Sequence, residues 1–140
     1  MRSEAGEEIV LEKNIFVERI LFNDSEKGLS DEAKKEYIRP FKNAGEDRRP
    51  TLTWPRQIPI DGSPEAVIDE VTKNGEFHKN SDIPKLFINA DPGTILIGKQ
   101  REFVRSWSNL KEVTVKGNHF VQEDSPHEIG EAIKVFIETI

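Results

Sequence analysis

At 140 residues the chain is long enough for one ordinary domain, and the absence of cysteine rules out both a disulfide framework and a thiolate metal site. A hydrophobic share of 35% against 33% charged residues is low for a complete buried core, so either the elements are mostly surface helices or the core is completed by a partner. The net charge of −6, with Lys and Arg scattered and forming no stripe, argues against nucleic acid as a partner, and no apolar run reaches membrane-spanning length.

Met1–Gly6 is charged and short of apolar residues, unlike a signal peptide, so a soluble, cytoplasmic location is the expectation. Ala5–Lys13 reads as a short helix with Ile9 and Val10 against an acidic face, and apolar residues continue through Ile15, Phe16, Val17, Ile20 and Leu21. Phe22–Gly28 is a polar turn. Ser30 is placed to cap a helix running through Tyr37, with Asp31 and Glu32 in its first turn, and Pro40 should end it. The stretch Pro50–Pro59 holds prolines at 50, 55 and 59 and should be neither one straight helix nor a central strand, although Leu52, Trp54 and Ile58 need burial. Ser63-Pro64 opens a further helix carrying Ala66, Val67 and Val71, which Asn74-Gly75 should stop.

The character then changes. Lys85–Asn89 is a short apolar run between Pro84 and Asp91-Pro92-Gly93, and reads as a buried strand. Gly98–Trp107 is helix-like, with Phe103, Val104 and Trp107 at three- and four-residue spacing. Glu112–Val115 is a second strand, Gly117–Asp124 a loop, and Ser125-Pro126-His127-Glu128 a capping box opening a final helix that buries Ile129, Ile133 and Phe136. A β-α-β-α order implies parallel strands, and a parallel sheet is covered on both faces and needs more than two strands, so neighbouring strands are expected from elsewhere. The fold class is α/β.

Three histidines could carry chemistry. His78 lies in a polar segment, and His127 in the first turn of a helix, where a charged imidazolium opposes the dipole; both read as surface residues. His119 follows the last strand directly, and catalytic groups of parallel α/β sheets gather at the carboxyl ends of strands. An imidazole there can serve as a general base, although on position alone a surface histidine is the commoner reading. The acidic pairs Glu7-Glu8 and Asp31-Glu32 read as solvated helix faces, and Glu123-Asp124 as a favourable charge before the last helix. There is no nucleophile elbow, no glycine-rich phosphate loop and no metal-ligand spacing, so neither metal nor cofactor is expected.

The strings RSEAGEEIVLEKNIFVE (2–18), GEDRRPTLTWPRQIPI (45–60), PKLFINADPG (84–93) and GNHFVQEDSPHEIGEAI (117–133) together resemble the haloalkane dehalogenases and the related Renilla-type coelenterazine luciferases, over the C-terminal half only of such an enzyme. The resemblance implies the C-terminal part of an α/β-hydrolase fold: residues 1–60 as a helical cap segment and 61–140 as the last part of the core. It also implies a mechanism in which an aspartate displaces halide from carbon to form an alkyl-enzyme ester, which a histidine-activated water then hydrolyses. His119 matches that base. Phe16, Pro55, Ile58, Ile95 and Phe120 match positions lining the apolar cavity or its tunnel, while Trp54 and Trp107 read as structural. The nucleophile and the halide-binding Trp and Asn match segments upstream of Met1, so the missing N-terminal half of the fold is an expected partner, together with a small halogenated hydrocarbon, water and halide. The acid that orients the histidine follows the strand matching Lys85–Asn89 in some members; that position here is Gly93, and Asp91 is out of register. The polar segments 22–28 and 71–81 depart from the family pattern, Asp24 standing where an apolar tunnel residue is usual. Met1 falls inside a family motif, as at an internal start. Three readings stay open: a dehalogenase piece inactive alone, a luciferase-like monooxygenase, and a non-catalytic truncated remnant.

Overall fold

The computed structural model describes residues 1–140, which divide into two compact units: Met1–Asn23 with Gly28–Val71, and Asp24–Lys27 with Thr72–Ile140. No helix is long and apolar enough to cross a membrane.

The first unit is helical. Its opening segments are wound as π-helical stretches, Glu8–Glu12 and Phe16–Leu21, followed by a single turn, α1 (Phe22–Asp24), of which Phe22 and Asn23 belong to this unit. Ser30 caps α2 (Asp31–Ile38) as its sequence suggests, its hydroxyl accepting from the Ala33 N–H at 3.1 Å. The proline-rich stretch departs from expectation. Arg49–Arg56 is one helix, α3, because Pro50 occupies its first turn, where the missing N–H has no intrahelical partner to lose, and Pro55 falls in its last turn. Of the apolar residues there, only Leu52 is buried, packing with Val10 and Leu11; Trp54 and Ile58 are exposed. Arg48 is buried beneath this cluster, its guanidinium donating to the carbonyls of Leu11, Glu12, Phe41 and Lys42 at 2.6–3.2 Å and so satisfying the ends of neighbouring turns.

The helix α4 (Glu65–Asn80) runs straight through Asn74-Gly75, where a stop was expected. Gly75 is buried, and a Cβ there would lie 2.9 Å from Phe103 Cζ, so this glycine makes room for a neighbouring ring and does not terminate the helix. In the second unit β1 (Lys85–Pro92) and β2 (Leu110–Gly117) pair in parallel over their whole length, Lys85 opposite Leu110 and Pro92 opposite Gly117, with α5 (Gly98–Arg105) as the crossover. Phe87, Asn89 and Val115 are buried within the sheet. The entry end is held by Lys85, whose buried Nζ donates to the carbonyls of Ser81, Ile83 and Ser108 at 2.7–2.9 Å. A short turn, α6 (Val121–Asp124), precedes the last helix, α7 (Pro126–Ile137). The expected capping box does not form: the Ser125 hydroxyl donates to the Lys116 carbonyl at 2.7 Å, tying the start of α7 to β2.

Candidate functional site

The two parallel strands end together, so the loops that follow them are neighbours. Gly117 closes β2 at φ +147°, and a Cβ on it would stand 2.8 Å from both Cβ and Oδ2 of Asp124, which leaves glycine as the residue that fits. His119 lies two residues beyond. Its imidazole is exposed, meets the Phe120 ring edge-on at 4.9 Å between centroids, and forms no hydrogen bond or ion pair. Asp91, within β1, makes no bond to it.

The backbone beneath this histidine is held by two carboxylates. Asp124, 1% exposed, accepts from the Asn118 N–H at 3.2 Å through Oδ2, and from the Ser25 hydroxyl at 2.7 Å and the Lys27 N–H at 3.1 Å through Oδ1. Lys27 Nζ also donates to the Asp124 carbonyl. Burial pushes the Asp124 carboxyl up, but the Ser25 hydroxyl and the backbone N–H groups of Lys27, Glu26 and Asn118 together outweigh it and hold the group below the usual carboxylate range. Asp24 accepts from the His119 and Phe120 N–H groups at 2.7 and 3.0 Å, both through Oδ2, and its Oδ1 lies 3.5 Å from the Thr94 hydroxyl.

Between the strand ends is a cavity of about 200 Å³, lined among others by Ile88, Ala90, Ile95, Leu96, His119 and Val121. The structure therefore brings His119 and Ile95 to one apolar cavity, with Phe120 against the histidine ring. Phe16, Pro55 and Ile58 lie in the first unit, the first two half-buried and Ile58 exposed. His78 is stacked on Trp107 at 4.8 Å, a packing role, and His127 is exposed on α7. No group of three or more His, Asp or Glu side chains is arranged to hold a metal ion.

Asp24 and Asp124 are singled out in the sequence, Asp24 as a departure from an apolar tunnel position and Asp124 as a helix-terminal charge, but their place beneath His119 is not. Asp124 reads locally as a charge preceding a helix, whereas its partners Ser25 and Lys27 lie 99 and 97 residues away in the chain. The one local clue is Gly117, seven positions earlier, whose space the Asp124 side chain fills.

No family model matches the chain. A haloalkane dehalogenase of Mycolicibacterium smegmatis is 54% identical over 142 residues, an alignment that covers 100% of this chain and 45% of that protein. A coelenterazine h 2-monooxygenase of Renilla reniformis is 42% identical over 142 residues, with the same coverage of 100% and 45%. Among solved structures, a haloalkane dehalogenase from Bradyrhizobium elkani USDA94 matches with a TM-score of 0.90 at 33% identity, covering 97% of this chain and 47% of that one. The chain thus spans a little under half the length of the proteins it matches. Along its whole length it corresponds to the C-terminal part of the α/β-hydrolase fold of the haloalkane dehalogenase family.

Proposed function

We propose that this chain supplies the general base and part of the substrate cavity for hydrolytic dehalogenation of small haloalkanes, the nucleophile coming from polypeptide outside these 140 residues. The observation that carries the reading is His119 standing at the carboxyl end of β2 on the rim of an apolar cavity of about 200 Å³. A cavity of that size and lining suits a small neutral halocarbon and excludes bulk water from an ester. In this reading residues 1–60 belong to the helical cap and 61–140 to the core, and Phe120 packs beside the base at the cavity rim.

The chemistry proceeds in two displacements. A carboxylate attacks the halogen-bearing carbon; the carbon–oxygen bond forms as the carbon–halogen bond breaks, and halide leaves with the electron pair. His119 then takes a proton from water, the hydroxide adds to the ester carbonyl, and the alcohol departs with a proton returned from the imidazolium. The nucleophilic carboxyl is left protonated by the hydrolysis and releases that proton to solvent, so each turnover consumes one water and yields alcohol, halide and one proton. His119 makes no ion pair with an acid of this chain, so the acid that orients it is also assigned to the polypeptide outside it.

Halide release from 1,2-dibromoethane or 1-bromobutane tests the reading. The 140-residue chain by itself should release none above background. A polypeptide that joins it to the remainder of the fold should turn over, and His119→Gln in that polypeptide should lower turnover by roughly 10²–10⁴-fold. That variant should retain the alkyl group as an ester visible by mass spectrometry. Sustained turnover by the chain alone, or an unimpaired His119→Gln enzyme, defeats the assignment. The 42% identity to a coelenterazine monooxygenase supports a second reading, for which light from coelenterazine without halide release would be decisive.

A further inference from the structure

The backbone that carries His119 is fastened by a four-residue strap, Asp24–Lys27, which packs with the second unit although the chain on either side of it belongs to the first. Three successive N–H groups, those of Asn118, His119 and Phe120, all donate to carboxylates: the first to Asp124, the next two to Asp24. The His119 and Phe120 N–H groups enter no backbone hydrogen bond, so without Asp24 both would lose their protein acceptor. One oxygen serving two adjacent N–H groups at 2.7 and 3.0 Å is a charge-assisted arrangement that fixes the orientation of both peptide planes. The second Asp24 oxygen faces the Thr94 hydroxyl at 3.5 Å, so a single side chain touches the loops that follow both strands. Ser25 and Lys27 on Asp124, and a 3.3 Å ion pair between Glu26 and Lys116, hold the strap in place.

We propose that Asp24 is a positioning residue for His119: by anchoring the two peptide N–H groups on either side of the histidine's Cα, it sets the direction in which the imidazole projects into the cavity. The proposal rests on the reading of His119 as the base, and its test is spectroscopic, so the two can fail separately. In a polypeptide that joins this chain to the remainder of the fold, the amide protons of His119 and Phe120 should be protected from exchange by their bonds to the Asp24 carboxylate. Asp24→Asn keeps a neutral acceptor and should preserve most of that protection while leaving the imidazole signals of His119 close to wild type. Asp24→Ala removes the acceptor; it should speed amide exchange at both positions roughly tenfold or more, and move and broaden the imidazole signals. A purely structural role would lower the melting temperature of Asp24→Ala without altering the imidazole signals, and that result overturns the proposal. So does a wild-type protein whose His119 and Phe120 amides exchange as fast as those of Asp24→Ala. Failure here leaves the base assignment standing, and an unimpaired His119→Gln enzyme would leave the anchoring of the loop standing.

Discussion

Asp124 shows how a carboxylate can be buried and still ionised. Desolvation alone would favour its neutral form, but a neutral acid forfeits the charge-assisted bonds from the Ser25 hydroxyl and the nearby N–H groups, and those bonds prevail. Because its folded pKa lies below the unfolded value of about 3.9, the group stabilises the fold fully above that value and loses its contribution as pH falls through the lower, folded pKa. The expected result is an acid-induced loosening of the His119 loop that begins near the ordinary carboxylate range. Asp124→Asn should cost about 2–3 kcal/mol at neutral pH and flatten that acid limb, as read from chemical denaturation at several pH values. An unchanged acid limb would show that Asp124 is not the group responsible. The sequence made His119 conspicuous because it follows a strand, and it marked Asp24 and Asp124 as charges, but not as the groups that hold the backbone of that loop. The bonds of Asp24 to the His119 and Phe120 N–H groups, and those of Asp124 to Ser25 and Lys27, join residues more than ninety positions apart, and a linear pattern carries no trace of such pairs.

Elements were legible where one local rule acted alone. The β-branched and apolar runs of β1 and β2 and the Ser30 cap appear where propensity and capping put them. The misreadings arose where tertiary packing overrode a local rule. Pro50 did not break α3, since its first-turn position has no intrahelical bond to lose, and Pro55 costs it only the bond to the Thr51 carbonyl in the last turn; Asn74-Gly75 did not stop α4, since Gly75 accommodates the Phe103 ring. That last case is measurable. Replacing a mid-helix glycine by alanine ordinarily gains about 1 kcal/mol, but here the new Cβ would stand 2.9 Å from Phe103 Cζ. Phe103 is 44% exposed and can swing aside at some loss of packing, so the two effects should nearly cancel in Gly75→Ala. With Phe103→Ala already in place the opposition disappears, and Gly75→Ala should then stabilise by about 1 kcal/mol. Equal effects in both backgrounds would mean that the Phe103 ring is not what keeps position 75 a glycine.

For the chain as a whole, the second unit holds a sheet of two parallel strands, each pairing with the other and leaving its outer edge free. Parallel sheets are stable when both faces are covered and several strands share the ladder, and free edges with apolar surroundings favour intermolecular pairing. Around this sheet Ile83, Ile133, Val135, Ile137 and Ile140 are exposed, and a groove of about 390 Å³ is lined by Val113, Ala132 and Val135 between the side chains of Lys111, Glu128 and Glu131. The net charge of −6 opposes association, but over a surface of 9319 Å² that repulsion is diffuse and screened by salt, whereas apolar contact at a strand edge is local and is not. The 140-residue chain should therefore self-associate as its concentration rises, more strongly at high ionic strength, and melt over a broad range. Analytical ultracentrifugation across a concentration and salt series reads this directly. Val135→Lys, which puts a charge into the groove, should shift the distribution toward monomer while far-UV circular dichroism stays unchanged. A sharp, concentration-independent melt from a monodisperse monomer would mean that two strands and their helices are sufficient, and the need for further strands from outside the chain would then fall away.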